Sequence, residues 1–255
     1  MTAASGPILS IISITKQDRD GLERTAAALR EQDLAGVEWV VVRSPGDVVP
    51  EVAGVARTVI DCDNGISAAL NAGTRVSRGI WLMYLNGGDA LASSDVLARI
   101  KKVLPQNNPA DSVLYGDFLE IGKTRTFSKR ADYRELDRNN SINHQSVVIG
   151  RALALNHPYD ERLLVGMDYD LWLRLVRHRQ FVHLGFPIAK FYQGGRSGSK
   201  RWAIHQVIIR YVLRRVNGTQ RMTLRDVVKL NYLVLRCLFR VYVKGPLLSW
   251  RTNAN

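Results

Sequence analysis

Four residues at the end of an apolar run could bind a ligand. Asn86, Gly87, Gly88 and Asp89 directly follow the uncharged run 80–85, which is typical of a strand buried inside a parallel sheet. In open α/β sheets, ligands bind at the carboxyl ends of the strands. The glycines would let a ligand approach the backbone, and Asp89 could give an oxygen to Mg²⁺ or Mn²⁺ that also holds a diphosphate. An ordinary Gly-Gly-Asp turn is the alternative, because such turns are common.

Two further carboxylates could act as acids or bases. Asp168 and Asp170 stand at the start of a segment whose apolar residues recur at helical spacing, and the helix dipole favours carboxylates there. A helix start that faces a ligand cleft can hold a general base rigidly. Ordinary capping is the alternative, with an ion pair between Asp170 and Arg174 four residues later.

A histidine precedes the apolar run 147–149. His144 could contact a phosphate or a hydroxyl group of a substrate. A lone histidine beside a strand is more often a structural residue with satisfied hydrogen bonds. Both interpretations stay open at this point.

The apolar runs predict the elements that must position these residues. Strands are expected at 8–14, 37–42, 58–60, 80–85, 112–115 and 147–149, and helices after residue 18, at 66–76, at 94–103 and from 168. The first half predicts a βαβαβαβ unit with parallel strands and right-handed crossovers. Residues 123–140 are polar and predict a loop or a pair of edge strands. Dinucleotide-binding and P-loop patterns are both absent from the sequence, which weakens those interpretations.

Composition and charge divide the chain into two parts. Its 255 residues are 46% hydrophobic, which suits one large α/β domain with an appendage or two small domains. Residues 196–255 hold thirteen Lys and Arg against one acid, so most of the net charge of +13 lies there. Cys62 and Cys237 show no disulfide or metal spacing, which indicates a reducing compartment. The first apolar run lacks a basic flank and a cleavage site, so we interpret it as a strand and expect a cytoplasmic protein.

The basic tail predicts an amphipathic helix at 225–244. Five basic residues fall on one helical face and five aliphatic residues on the other. Such a helix can lie on an anionic bilayer, or it can pack its apolar face on the rest of the protein. A transmembrane helix is not expected, because about eighteen uncharged residues in a row would be needed. Nucleic acid is not expected either, because the tail lacks stacking aromatics and RNA-binding signatures.

Five segments together resemble a known family. The sequence is similar to the inverting family 2 glycosyltransferases of the GT-A fold, in particular to the branch that includes colanic-acid and O-antigen sugar transferases. The similarity covers about the first four-fifths of the chain. The segments are 8–15, 63–73, 79–89, 115–117, and 144–146 followed by 168–171.

The resemblance implies a role for each matching position. In the family, the turn matching Asn86 to Asp89 is the metal-binding turn, which places Mg²⁺ or Mn²⁺ on Asp89 and the donor against Asn86 and Gly88. Thr15 and Asp63 match positions that contact the nucleotide. The donor would be a UDP-, GDP- or dTDP-sugar. Arg43 stands where the family usually has an aspartate that reads the base, so the base and the sugar stay open.

The resemblance also implies the chemistry and the organisation. Asp168 matches the catalytic base, which takes the proton of the acceptor hydroxyl as that oxygen attacks the anomeric carbon. The implied enzyme is a hexosyltransferase-type glycosyltransferase that acts in glycolipid or polysaccharide biosynthesis on a lipid-linked or glycolipid acceptor. We expect a glycosyltransferase domain at 1–198 and a basic helical tail at 199–255, peripheral on the inner face of the cell membrane. The alternative is a non-catalytic membrane- or nucleic-acid-binding protein on the same scaffold.

Overall fold

The computed structural model describes residues 6–122, 124–137 and 139–192, with six single residues of the tail: 212, 224, 228, 231, 232 and 235. The predicted boundary between residues 198 and 199 lies outside the described residues. The ten residues that carry the amphipathic pattern at 225–244 lie outside them as well. Among the residues that the structure covers, no helix has both the length and the apolar character to cross a membrane.

Residues 6–103 contain five strands and three α-helices, in the order strand, helix, strand, strand, helix, strand, strand, helix. The strands in the described ranges are β1 (Leu9–Ile14), β2 (Val37–Arg43), β3 (Ala56–Asp61), β4 (Trp81–Tyr84), β5 (Ala90–Leu91), β6 (Ser112–Ile121), β7 (Thr126–Lys129), β8 (Val147–Gly150) and β9 (Gln180–Tyr192). The α-helices there are α1 (Arg19–Arg30), α2 (Ile66–Val76), α3 (Val96–Val103), α4 (Arg151–Asn156) and α5 (Met167–Leu175). A short 3₁₀ helix of one turn, His144–Ser146, leads directly into β8.

The strands form one mixed sheet in the order β3-β2-β1-β4-β8-β6-β9-β5, and β7 pairs with β6. The first four strands of this order are parallel. From there the sheet is mixed, because β8 is antiparallel to both β4 and β6, and β9 is parallel to β6. The α/β class predicted from the sequence is confirmed. Strand β4 lies in the middle, between β1 and β8, so its carboxyl end opens near the centre of the sheet edge.

Two apolar layers cover the faces of the sheet. Leu82 and Tyr84 of β4 lie in the layer that includes residues of α2, α4 and α5. Trp81 and Met83 lie in the other layer, with residues of α1 and α3. Both faces of β4 are therefore buried, as its unbroken apolar run predicted. The prediction was wrong for Ile80, which precedes the strand and is 55% exposed.

Several predicted elements differ from the observed ones. Strands β2 and β3 are joined by residues 44–55 with no helix between them, because two prolines and two glycines interrupt that segment. Helix α3 begins after Asp95, since Ser93 donates to the Asp95 carboxylate and does not cap the helix. Strand β6 is ten residues long. Strand β9 and helix α4 were not predicted; β9 is held by its parallel register with β6, a tertiary contact.

Candidate active site

The turn at residues 86–89 is held against β1 and α1 by its backbone. The N–H group of Gly87 donates to the carbonyl of Ile14 at 2.9 Å, and that of Gly88 donates to the carbonyl of Gly21 at 2.9 Å. Gly88 has φ of +104°, a conformation that side chains disfavour. A Cβ atom on Gly87 would lie 3.0 Å from the Ile14 carbonyl oxygen and 3.3 Å from Thr15. Both glycines are therefore required for the close approach of this turn to the end of β1.

Helix α1 adds two side chains to the same turn. The hydroxyl of Thr25 donates to the carbonyl of Asp89 at 2.7 Å and accepts from the N–H group of Gly88 at 3.1 Å. Arg24 donates to the carbonyl of Gly88 at 3.0 Å, and its guanidinium lies 4.6 Å from the ring centre of Tyr192. The turn is thus a rigid, backbone-bonded structure with a cation beside it.

Asp89 points into the protein. It is 6% exposed, and one carboxylate oxygen accepts from the Gln145 amide at 2.7 Å while the other accepts from the N–H group of Tyr192 at 3.3 Å. Burial raises the pKa of Asp89 to about 6, against the lowering effects of Gln145, Tyr192 and the charge of Arg24. In this geometry Asp89 ties the turn to β9 and to the 3₁₀ turn before β8.

The residues around the turn do not fit a metal that the protein holds by itself. Each oxygen of the Asp89 carboxylate already accepts one hydrogen bond, from Gln145 or from Tyr192, and the residue is buried. Over the described ranges, no group of three or more His, Cys, Asp or Glu residues could hold a metal ion. The position of Mg²⁺ or Mn²⁺ on Asp89 therefore stays a prediction of the sequence.

Asp168 lies in the first turn of α5. The helix follows Gly166, whose φ of +73° turns the chain into it. The Asp168 side chain is 17% exposed, and its Oδ2 atom accepts from the Asn140 amide at 3.0 Å. A carboxylate that is mostly buried but reachable, with a neutral donor, can accept a proton from a substrate.

His144 connects Asp168 with the turn. Its Nε2 atom lies 2.9 Å from the Asn86 amide nitrogen, and its Nδ1 atom lies 4.0 Å from Oδ2 of Asp168. Burial lowers the pKa of His144, and the charge of Asp168 offsets part of this effect. The sequence left open whether His144 is structural. The structure places it between Asn86, a candidate residue for binding the sugar donor, and Asp168, the candidate base.

Asp170 has a different role from Asp168. Its carboxylate accepts from Arg174 at 2.9 Å, which is the ion pair that the spacing predicted. Arg174 also donates to the carbonyl of Pro158. This pair therefore fastens α5 to the segment that precedes it.

A third group of predicted residues lies at the ends of β1, β2 and β3. The carboxylate of Asp63 is half exposed and accepts from Lys16 at 2.5 Å, whose hydrogen bond and charge lower the pKa of Asp63. Thr15 lines a cavity of about 260 Å³ at the same edge. Arg43 pairs with Asp61 at 2.9 Å. This partly exposed ion pair joins the ends of β2 and β3.

The predicted site residues lie at one edge of the sheet, in two separate groups. Asn86 and Asp168 are joined through His144, and Gly88 and Asp89 belong to the same turn. Asp63 is separate and is linked to this edge by Lys16, the neighbour of Thr15. Sequence reasoning missed four residues that hold these groups, because they have no distinctive spacing to them. They are Arg24, Asn140, Gln145 and Tyr192.

Comparison with known proteins identifies the family. No family model matches the chain. A PGL/p-HBAD biosynthesis glycosyltransferase of Mycobacterium bovis BCG is 27% identical over 260 residues, which are 97% of this chain and 98% of that protein. An uncharacterized glycosyltransferase of Mycobacterium tuberculosis is 33% identical over 185 residues, 67% of this chain and 69% of that protein. The chain belongs to the glycosyltransferases.

Solved structures support the fold of this glycosyltransferase. TarS 1–349 of S. aureus, in complex with UDP-GlcNAc, superposes with a TM-score of 0.65 at 12% identity, over 91% of this chain and 72% of that one. The mannosyltransferase PcManGT of Pyrobaculum calidifontis, in complex with GDP-Man and Mn²⁺, gives a TM-score of 0.60 at 14% identity, over 99% of this chain and 77% of that one. At these identities the comparison establishes the GT-A-like architecture alone.

Proposed function

We propose that this glycosyltransferase moves a sugar from a nucleotide-sugar donor to a hydroxyl group of a glycolipid or lipid-linked acceptor, with inversion at the anomeric carbon. The relative named for PGL/p-HBAD biosynthesis matches 97% of the chain and supports a glycolipid acceptor. The neighbours that share the fold were solved with UDP-GlcNAc and GDP-Man, which supports a nucleotide-sugar donor. The sequence motifs support an inverting enzyme of family 2.

The observation that carries the proposal is the network from Asn86 through His144 to Asp168. It sets a carboxylate beside the turn at the carboxyl end of the central strand, where ligands bind in open α/β sheets. The candidate base and the candidate donor site are therefore neighbours. A transferase needs this arrangement, because the acceptor hydroxyl must meet the anomeric carbon of the donor.

Asp168 acts as the base in the proposed reaction. It takes the proton of the acceptor hydroxyl while that oxygen forms a bond to the anomeric carbon and the bond from this carbon to the diphosphate breaks. The products are the glycosylated acceptor, the nucleoside diphosphate and a protonated Asp168. The two contacts that the carboxylate makes with the described residues are both to Oδ2, so Oδ1 is the oxygen that we assign to the acceptor. Attack from the face opposite the diphosphate inverts the anomeric carbon.

The donor is assigned to the turn and to the ends of the first strands. We place the diphosphate against Asn86 and Gly88, where two glycines bring the backbone close, and the nucleotide against Thr15 and Asp63. A divalent cation would supply positive charge to the departing diphosphate. The sequence predicts that nucleotide affinity depends on Mn²⁺; calorimetry of UDP and GDP with Mn²⁺ and with EDTA tests this, and equal affinities would end the metal role of Asp89.

The organisation of the chain is part of the same proposal. Residues 1–198 form the catalytic domain, and the basic tail 199–255 brings it to the inner face of the cell membrane, where a lipid-linked acceptor is found. The tail contributes most of the net charge of +13, which favours an anionic surface. The alternative of a non-catalytic binding protein is not favoured, because the chain belongs to an enzyme family.

A donor screen tests the proposed function. Purified protein is incubated with UDP-, GDP- and dTDP-sugars and Mn²⁺, with and without a glycolipid fraction, and release of nucleoside diphosphate is measured. We expect one class of donor to be consumed, faster with the acceptor, and the acceptor-dependent rate to be lost in Asp168→Asn. Failure to bind or consume any of the donors would overturn the proposal.

A further inference from the structure

We propose that His144 is a positioning residue that directs an Nδ1–H group at the base Asp168, and that Asn86 selects this tautomer. The inference rests on the proposed function, because it takes Asp168 as the base. It assigns a role to a histidine for which the sequence gave two interpretations. It also gives a reason for asparagine at the first position of the turn.

The geometry brings together three side chains from three parts of the chain. Asn86 follows β4, His144 begins the 3₁₀ turn before β8, and Asp168 begins α5. The imidazole side chain is 12% exposed and lies between the other two, 2.9 Å from the Asn86 amide nitrogen and 4.0 Å from Oδ2 of Asp168. A residue that touches both groups can fix the base relative to the turn.

The proton of a neutral imidazole can sit on either nitrogen, and the neighbours decide which. The Nδ1 atom faces a carboxylate, so a lone pair there would meet negative charge, whereas an N–H group is attracted to it. With the proton on Nδ1, the Nε2 atom has a free lone pair and accepts from the Asn86 amide. The contacts on both sides of the ring are therefore favourable in one tautomer only.

An asparagine at position 86 keeps the imidazole neutral. Its amide group donates a hydrogen bond to Nε2, and this contact does not stabilise a proton on that atom. An aspartate there would accept a hydrogen bond from a protonated Nε2, which favours the imidazolium form. A cation next to Asp168 would stabilise its charged form and weaken it as a base. The pair Asn86 and His144 thus places a neutral ring, and not a cation, next to Asp168.

Two amide oxygens next to this network point to a ligand. Oδ1 of Asn86 and Oδ1 of Asn140 are buried without a hydrogen-bond partner in the described structure. Buried acceptors of this kind are costly unless something donates to them. The amide nitrogens of the same residues donate to His144 and to Asp168. Hydroxyl groups of the nucleotide-sugar or of the acceptor sugar can donate hydrogen bonds to these two amide oxygens.

The charged groups around His144 allow a clear prediction of its titration. Asp168 of α5 is the charged group that raises the pKa of His144, and burial lowers it more. A second carboxylate, that of Asp89, accepts a hydrogen bond from Gln145, the residue after His144. Burial and the amide of Asn86 therefore act together to keep the ring neutral.

Nitrogen-15 NMR of the histidine rings tests the inference without any substrate. In the wild-type protein we expect His144 to carry its proton on Nδ1 and to titrate below the pH of an ordinary histidine. In Asn86→Asp we expect the resonance of the imidazolium form at pH 7. Asn64→Asp adds the same charge at an exposed position and should leave His144 neutral. The resonance of His183, which pairs with Asp117, reports that each variant is folded.

Kinetics with the donor found in the screen gives a second readout. His144→Ala should lower kcat at least tenfold with little change in the donor KM, and His144→Asn, whose amide replaces the Nδ1–H group, should recover most of that loss. A wild-type spectrum with the proton on Nε2, or an Asn86→Asp spectrum identical to wild type, overturns the inference. Either result leaves the donor screen and the Asp168→Asn test of the proposed function untouched.

Discussion

Asp168 and Asp170 are separated by one residue, yet their surroundings differ. Asp170 is paired with an arginine, which fixes the direction of its carboxylate. Among the described residues, Asp168 has a neutral amide at 3.0 Å and an imidazole at 4.0 Å. An ion-paired carboxylate is a poor base, because the proton would have to displace the cation. At the scale of the residue, the partner of each carboxylate decides its function.

Asp168→Asn should abolish most of the activity without loss of the donor site. The amide keeps the size of the side chain and removes the base, so we expect transfer to fall on the order of a hundredfold or more. Donor binding, measured by calorimetry, should persist. Asp170→Asn is the matched control, for which we expect a lower unfolding temperature and a smaller loss of activity. Near-native turnover in Asp168→Asn would mean that another residue is the base.

Asp89 should make the protein less stable as the pH rises through about 6. Its folded-state pKa of about 6 lies above the ordinary 3.8, so its contribution to stability is full below pH 4 and is lost as the carboxyl ionises in the buried site. Relative to wild type, the free energy of unfolding of Asp89→Asn should increase by roughly 1–2 kcal/mol between pH 5 and pH 7.5. Urea denaturation in EDTA at both pH values measures this difference. A difference that is independent of pH would contradict the assigned pKa.

At the scale of the element, a buried carboxylate ties three strands together at the edge of the sheet opposite the site. The side chain of Glu38 in β2 is 1% exposed. It accepts from the Ser10 hydroxyl in β1 and from Arg78 and Gly79 just before β4. Since β4 carries the turn at its other end, this cluster sets the position of the strand on which the site depends.

Glu38→Gln should destabilise the fold by about 1–3 kcal/mol, because it removes a charged acceptor from a buried cluster of donors. Burial raises the pKa of Glu38, but the hydrogen bonds from Ser10, Arg78 and Gly79 outweigh it, and the pKa lies below the ordinary value. This stability is therefore present above pH 4.5 and is lost as the pH falls through the folded-state pKa.

Thermal melts at pH 7 and pH 3.5 test this prediction. Glu51→Gln is the control, because the Glu51 side chain is 91% exposed and pairs only with Arg57 in the described residues. We expect the control to match wild type, since surface ion pairs contribute little. The deficit of Glu38→Gln should shrink at the lower pH. A constant deficit would show that the charge of Glu38 does not matter.

At the scale of the whole molecule, the tail combines positive charge with exposed apolar residues. Four of its described residues are helical and 59–81% exposed, namely Leu224, Val228, Tyr232 and Leu235. Their spacing puts them on one helical face. Apolar exposure on this scale, in a segment with twelve excess positive charges, is what a helix on an anionic membrane surface presents.

Removal of the residues after 201 should leave a stable domain that binds nucleotide but no longer floats with anionic vesicles. Changing Arg236, Arg240 and Lys244 to Gln should weaken vesicle binding, because each basic residue near an anionic surface contributes roughly 1 kcal/mol. What binding remains should be less sensitive to salt. Flotation and thermal melts of both proteins measure these effects. A truncated protein that melts early, with vesicle binding unaffected by the triple change, would mean that the tail packs on the domain.

The sequence by itself determined the local features. The unbroken run before Asn86 predicted a buried strand, and the structure confirms the strand at residues 81–84 and the burial at residues 81–85. Helix α2 was predicted with its observed ends, Ile66–Val76, and the pairing of Asp170 with Arg174 followed from spacing alone. These predictions succeed because burial on both faces, helical periodicity and neighbouring charges act over a few residues, so the pattern is complete within a short window.

Only the tertiary structure decided the contacts between distant segments. Strand β9 pairs with β6 more than sixty residues earlier, and no local pattern records such a partner. The position of Asp89 in the turn predicts a metal ligand. In the fold, its carboxylate accepts hydrogen bonds from Gln145 and Tyr192, which are 56 and 103 residues away in the sequence. His144 gained its proposed role in the same way, from Asn86 and Asp168 on either side. A side chain's charge and hydrogen bonds depend on what surrounds it in space, and the surroundings are set only when the sheet assembles.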